Sequence, residues 1–415
     1  MRIVIISDLR VHLILSALFI FGKSKNLKSS KLLISERIID NNDFGDFFPV
    51  WYKTIKFLIL KLIFNINVIP KNNLTNIEEE DKLGIISSLC SITNDSLADR
   101  SIYPNLYESL SNLTKGAKEI SQFIDLYQIN EIYLFNGRTS SSEAIVRHCY
   151  SKNIQVNYYE YGSIFGYNFL LMPFPIHNAY KLTSVLIEFY KNNIFSNPFI
   201  FNAGKKFASN KLNNSYTNNY ILQVEKEYDI AIFLCSDHEY TNVNPDIIGI
   251  NPIGNFELCK KVVEKYGANK KYAVRAHPNQ KNDPSYEQVI LPILEFCKEK
   301  KIDFYGPASN ISSYSLIKKC KIVAIELSSI GIDATLLGFE VDVFGNNNLK
   351  AIFDTMPEYI KSNAQLRREY VSEILGLSNF IYQIEFSLKY KLASKILYYL
   401  EYQIEKKINH KQYLN

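Results

Sequence analysis

Between Asp229 and Phe344 the chain alternates between two kinds of segment, and this alternation constrains its fold more than any other feature. The runs Asp229 to Leu234, Tyr272 to Arg275, Ile302 to Tyr305, Ile322 to Ile325 and Val341 to Phe344 are short and largely apolar, and polar residues follow them. Segments with helical spacing lie between, near 254–266, 286–299, 312–319 and 330–337. Strands joined through helices pair in parallel and are covered on both faces, so their sequences carry apolar runs rather than strict alternation. Gly267 and Gly338 stand where two of the helices should stop, as glycine tolerates the backbone that ends a helix.

The first half shows the same grammar more faintly. Arg2 to Ser7 reads as a buried opening strand and Val11 to Phe21 as an apolar helix after it. A helix from Leu106 to Tyr127, a strand Glu131 to Phe135, a helix Ser141 to Ser151 and a strand Ile154 to Tyr159 follow. Residues 23–100 carry few signals beyond Asn, Lys and Ser and one acidic run, Glu78-Glu79-Glu80-Asp81. The polar stretch from about Asn202 to Asn219 reads as an interdomain linker. Beyond residue 365 the spacing of Ile374, Leu377, Ile381, Ile384 and Leu388 predicts a helical tail to about 408. The expectation is an α/β protein of two Rossmann-like halves with a cleft between them and a C-terminal helical tail. The expected divisions are 1–215, 220–365 and 366–415, with no internal repeat.

Composition narrows the function classes. A chain of 415 residues exceeds what one hydrophobic core usually organises, and 47% hydrophobic residues exclude wholesale disorder. A net charge of +5 falls short of the dense basic face of a nucleic-acid binder, so no nucleic acid is expected as a partner. It fits anionic substrates, an anionic membrane surface, or a merely solvated basic surface. The six cysteines include no CxxC pair and mostly sit in apolar runs, which implies reduced core residues in a cytosolic protein. Asp8 interrupts the N-terminal apolar run and no small-residue cleavage pattern follows, so no secretory signal is read. The stretches Val11 to Gly22 and Phe57 to Pro70 are too short, or too interrupted by Lys61 and Asn65, to span a bilayer. Trp51 to Lys71 reads either as a buried helix of the first domain or as an interfacial one. The expected location is cytoplasmic, with peripheral attachment to an inner membrane left open.

The chemistry-bearing residues cluster where strands end. In an open α/β sheet, ligands bind at the carboxyl ends of the strands. His277-Pro278 lies at one such end: Pro278 stops the strand, and His277 either donates to a phosphate or ribose hydroxyl or is a hydrogen-bonded strand terminus. Ser328-Ser329 precedes a helix whose Gly331 and Ala334 leave its amides approachable, which suits a phosphate or simply an N-cap. Asp333, in that helix's first turn, either binds a ribose hydroxyl or caps. Asn136-Gly137-Arg138 follows a strand; Gly137 permits a tight turn, and Arg138 offers a planar donor fork to a carboxylate or phosphate, or lies on the surface. Glu160, between Tyr159 and Tyr161, either acts as a general base at the lip of the cleft or sits in a solvated turn. In Cys235-Ser236-Asp237-His238-Glu239-Tyr240 adjacent side chains point to opposite sides, so no metal site is expected. Glu239 either lines a donor site or caps the next helix.

The ordered set Asn136-Gly137-Arg138, Glu160-x-Gly162, Ser236-x-x-Glu239, Arg275-x-His277-Pro278, Gly306-Pro307 and Ser328-Ser329-Ile330-Gly331-Ile332-Asp333-Ala334 resembles bacterial glycosyltransferases of capsule and O-antigen synthesis. These are two-Rossmann-domain enzymes of the GT-B type, related to capsular Kdo transferases, bacterial sialyl- and polysialyltransferases and CDP-glycerol polymerases. The resemblance spans about residues 130 to 345. It implies a metal-independent transferase without a resident cofactor, using a nucleotide-sugar donor, with a CMP-linked sugar suggested by analogy. It implies a donor site of Ser236, Glu239, His277, Pro278, Ser328, Ser329 and Asp333. Contacts to acceptor or phosphate would come from Asn136, Arg138 and Arg275. Glu160 would be the base and His277 would assist catalysis. Two departures stand out: Asp333 occupies a place where many relatives carry Glu, and Glu160-Tyr161-Gly162 has no second acid in its middle place. The expected acceptor is a polysaccharide or lipid-linked glycan. Two other readings fit the same residues, a UDP-sugar 2-epimerase-like enzyme and a non-catalytic component of a polysaccharide assembly complex.

Overall fold

The computed structural model describes residues 2–5, 30–37, 67–72, 76–161, 169–175, 177–193, 198–214, 225–236, 244, 245, 249 and 251–381. The expected helix Val11 to Phe21, the segment Trp51 to Ile66 and the tail beyond 381 lie outside them. The first lobe holds strands β1 (Arg2–Ile5), β2 (Ser30–Ser35), β3 (Asn67–Ile69), β4 (Glu131–Phe135), β5 (Gln155–Tyr161) and β6 (Phe169–Met172). They form one sheet in the order β3-β2-β1-β4-β5-β6, parallel except for the antiparallel edge strand β6. Helices α1 (Lys82–Thr93), α2 (Pro104–Leu126) and α3 (Glu143–Ser151) cover it. The poorly legible region 23–100 thus contains two strands and a helix.

The second lobe carries β7 (Tyr228–Phe233), β8 (Tyr272–Arg275), β9 (Asp303–Tyr305), β10 (Cys320–Ile325) and β11 (Glu340–Val343), all parallel, in the order β11-β10-β7-β8-β9. All four residues of β8 are buried, which is why this run reads as apolar rather than alternating. In both sheets the first strand is central, the second and third lie to one side, and the fourth and fifth to the other. This is the Rossmann order, whose chain reversal opens a crevice beside the first strand.

Two helices depart from the expected division. α4 (Ala179–Asn193) and α5 (Pro198–Asn214) occupy the region before 215, and most of the expected linker is helix. The linker reading is therefore corrected. Leu182 and Val185 of α4 pack on the first core, while Leu186, Ile187, Tyr190 and, from α5, Ile200 join the core of the second lobe. These helices meet α12 (Ala364–Ile381), whose Val371, Ile374 and Leu377 are fully buried. Each such burial contributes about 1.5–3 kcal/mol. Tyr190 clasps this junction, donating to Glu373 at 2.7 Å with its ring edge-on to Tyr370. The polar look of 202–214 comes from the way α5 approaches α12, through Gly204 against Glu373 and Gly376 against Ala203.

The remaining helices are α6 (Asn255–Tyr266), α7 (Tyr286–Lys300), α8 (Ser313–Lys319), α9 (Ile330–Leu336), α10 (Asn348–Thr355) and α11 (Glu358–Lys361). Gly267 caps α6 at φ 83° and Gly338 follows α9 at φ 88°, as expected. All six cysteines are buried. No helix among the described residues is long and apolar enough to cross a membrane.

Candidate functional site

The carboxyl ends of the two sheets meet along one seam. Leu327, just past β10, packs against the first core. Asn244, in the loop after β7, donates to Glu143 of α3 at 3.1 Å. Asn178, between β6 and α4, donates to the carbonyl of Gly249 at 3.2 Å.

On the first-lobe side, β4 ends at Phe135 and Asn136 turns the chain in the left-handed region, φ 60°, followed by Gly137 at φ 89°. Only glycine fits at 137, because a Cβ would stand 2.5 Å from the Tyr158 ring. Asn136 is buried and its side chain works in two directions. Its Oδ1 accepts the Arg138 N–H at 3.2 Å, so its Nδ2 is the group that faces His177 Nε2 at 2.7 Å and donates to it. In its neutral form His177 therefore carries its proton on Nδ1. Arg138 is half-buried at the same turn. Phe135 pairs with Tyr159, so Glu160 is the first residue of β5 beyond the end of β4; its side chain lies outside the described residues.

Glu143 and His177 are two seam residues that the sequence reading missed. The Glu143 carboxyl is buried, and desolvation pushes its pKa up against the opposing pull of Arg147. An acid in the first turn of a helix reads from sequence only as a partner of the helix dipole.

On the second-lobe side, Asn255 at the start of α6 fixes the end of β7. Its Oδ1 accepts the Cys235 N–H at 3.0 Å and its Nδ2 donates to the Cys235 carbonyl at 3.0 Å. Ser236 is buried beside it, and Glu239 lies outside the described residues. His277 caps the helical turn Pro278–Asn282. The Asn279 N–H donates to its Nδ1 at 3.2 Å, and its own N–H donates to Gln280 Oε1 at 2.9 Å. With Nδ1 accepting, the neutral ring carries its proton on Nε2.

Three candidates are differently placed from what strand-end position suggests. Arg275 is buried and donates to the carbonyls of Tyr305 (3.3 Å) and Gly306, bracing the end of β9; burial lowers its pKa. Asp333 is buried away from solvent, accepting from the Tyr314 hydroxyl at 2.8 Å, with Lys211 of α5 3.5 Å from Oδ1. Desolvation raises its pKa, with Lys211 opposing. Ser329 is exposed and makes no side-chain cap, and α9 is only seven residues long. Ser328 is buried at the end of β10.

The crevice at the chain reversal of the second sheet lies between the ends of β7 and β10, and so between Ser236 and Ser328. Glu326, just past β10, is buried and accepts from the N–H groups of Ile253 (2.5 Å) and Gly254 (3.2 Å) at the approach to α6. β8 stands on the far side of β7 from β10. The ends of β8 and β10 are therefore two strand spacings apart, about 10 Å, within the span of one extended ligand. Among the described residues no three His, Cys, Asp or Glu side chains gather as metal ligands.

No protein-family model matches the chain, and no curated protein does. Among solved structures it is similar to the beta Kdo 2,7 transferase KpsC of Thermosulfurimonas dismutans, at 15% identity over 89% of this chain and 99% of that one, TM-score 0.41. It is also similar to the beta Kdo 2,4 transferase KpsC of the same organism, at 11% identity over 59% and 78%, TM-score 0.35. A UDP-GlcNAc 2-epimerase from Neisseria meningitidis bound to UDP-GlcNAc matches at 15% identity over 97% and 100%, TM-score 0.26.

Proposed function

We propose that the chain is a glycosyltransferase that moves a sugar from a nucleotide-sugar donor to a capsule or O-antigen polysaccharide, or to its lipid-linked precursor, at the surface of an inner membrane. The observation that carries this reading is the meeting of two Rossmann-ordered sheets, carboxyl ends toward one seam, with a proton-bearing His277 Nε2 on one side of β7 and the β7–β10 crevice on the other. A seam between two such sheets suits a reaction with two substrates, one held by each lobe. The nucleotide occupies the β7–β10 crevice with its phosphates toward His277. The acceptor lies against Asn136, Arg138 and Glu160, and a CMP-linked acidic sugar is the donor class the resemblance suggests.

In this reaction an acceptor hydroxyl attacks the anomeric carbon, Glu160 takes its proton, and the bond to the nucleotide phosphate breaks. His277 donates to the departing phosphate, where charge develops. Loss of one such preorganised donor typically costs about 3 kcal/mol, roughly a hundredfold or more in rate. The test is a thermal-shift panel of CMP, CDP, UDP and GDP, followed by donor turnover with wild type and His277→Ala. One nucleotide is expected to raise the melting temperature of wild type, because it binds only the folded state. His277→Ala then still folds, at the cost of about 1 kcal/mol for the lost cap, and turns over roughly a hundredfold more slowly. A wild-type protein that no nucleotide stabilises overturns the reading.

A further inference from the structure

The turn that carries His277 is also held from the other lobe. Past it, Asp283 and Ser285 meet the loop between α1 and α2, where Asp95 and Ser96 stand. The Ser96 hydroxyl donates to Asp283 Oδ2, and the Ser96 N–H donates to Asp283 Oδ1 at 3.4 Å. In return the Ser285 hydroxyl donates to Asp95 Oδ1. Each lobe thus offers one carboxylate and one hydroxyl, and each carboxylate takes the other lobe's hydroxyl. Asp95, Ser96 and Asp283 are all buried.

Each carboxylate is also tied into its own lobe. Asp95 accepts the Leu97 N–H at 3.0 Å and the Tyr103 hydroxyl at 3.0 Å. Asp283 accepts the Ser285 N–H at 2.8 Å, and its own N–H donates to the carbonyl of Gln280, inside the His277 turn, at 3.1 Å. The exchange therefore ends in the same turn that orients the His277 ring. Among the described residues neither carboxylate has a cation within ion-pair distance, and both are held by hydroxyl and amide donors. Such a cluster is costly to keep dry, and its reciprocal hydroxyl bonds form only when the lobes meet, which suits a contact that opens and closes.

We propose that Asp95, Ser96, Asp283 and Ser285 form a clasp that closes the two lobes and, in closing, sets the His277 turn. These are positioning residues, acting through His277. The effect on catalysis rests on the transferase reading, whereas the closure does not. Lobe closure and alignment of the donor-side histidine are then one event.

The test labels the full chain with spin probes at Lys152→Cys and Lys270→Cys, one exposed site on each lobe; the native thiols are buried, so labelling is selective. Interlobe distances are measured in this background, in Ser96→Ala, and in the reciprocal double variant Ser96→Asp with Asp283→Ser. Ser96→Ala is expected to broaden and lengthen the distance distribution, and the double variant to narrow it again. Should Ser96→Ala fail to fold, Ser285→Ala breaks the other half of the exchange with the same expectation. Whichever nucleotide stabilises wild type is expected to bind the single variant about tenfold more weakly, with recovery in the double variant. An unchanged distribution in a folded single variant overturns the clasp. A broadened one that the exchange of partners does not restore overturns it too, because purely local support would not be rescued by swapping the residues between lobes. A protein that binds no nucleotide but shows broadening and rescue keeps the clasp and defeats the transferase reading instead.

Discussion

Replacing Gly376 by alanine tests how α5 and α12 are joined. A Cβ at 376 would stand 2.6 Å from the Ala203 carbonyl oxygen, 2.7 Å from its carbon and 2.9 Å from the Gly204 nitrogen. All three are backbone atoms, so no rotamer change relieves the contact. A carbon sits comfortably at about 3.5 Å or more from such atoms, so the helices must part by roughly 0.6–0.9 Å. A gap of that size forfeits a quarter to a half of the dispersion well along the seam, and overpacking of this kind costs about 1–3 kcal/mol. Alanine returns about 0.5–1 kcal/mol of helix propensity. With an unyielding backbone the upper end applies, and the net loss is about 2 kcal/mol. In equilibrium urea unfolding at unchanged slope, with about 2 kcal/mol/M for the cooperative unit, the midpoint falls by about 1 M. Lys206→Ala, on an exposed position of α5, is the control and stays within about 0.5 kcal/mol. A Gly376→Ala protein as stable as wild type, or more so, would mean that propensity dominates and that the two backbones do not touch.

Two further outcomes follow from burial. Desolvation raises the Glu143 pKa in the folded state above its unfolded value, so its stabilising contribution is full below the unfolded pKa and is lost as pH rises through the folded one. The urea midpoint of wild type relative to Glu143→Gln should therefore improve as pH is lowered from neutrality to the ordinary carboxyl value of about 4.3; a difference that stays flat over that whole descent contradicts the desolvation. Burial pushes the Cys149, Cys297 and Cys320 thiols up to about 12. The native protein should leave all six cysteines unreacted with a disulfide reagent at neutral pH and react fully once unfolded. Even one thiol titrating in the folded state would show that a core is more open than the packing implies.

The second sheet was legible because its inner strands are largely buried, so Tyr272 to Arg275 and Ile322 to Ile325 announce themselves by composition alone. β2 and β3 were not, since Ser30–Ser35 and Asn67–Ile69 are set in Asn- and Lys-rich surroundings. α5 was mistaken for a linker for a physical reason: a helix that packs through Ala203, Gly204 and Ala208 needs no large apolar stripe. The site was legible as an edge but not as directions. Strand-end position placed Arg275, His277 and Ser328 at one rim, yet could not tell that Arg275 turns inward onto carbonyls. Asp333 faces Tyr314 and Lys211, partners supplied by α8 and α5, far from it in sequence. His177 escaped notice because its partner Asn136 is distant in sequence within the first lobe, and Glu143 because its partner Asn244 comes from a loop of the second lobe.

The excursion of α4 and α5 onto the second lobe has a consequence for biosynthesis. During translation these helices leave the ribosome before any strand of the sheet they cover, and α12, which completes their burial, emerges last. Leu186, Ile187, Tyr190 and Ile200 must therefore wait, uncovered, while well over a hundred residues are made. The first lobe can mature early, but the second is a late, all-at-once closure, and the nascent chain is most exposed to aggregation and most in need of chaperone shelter in that interval.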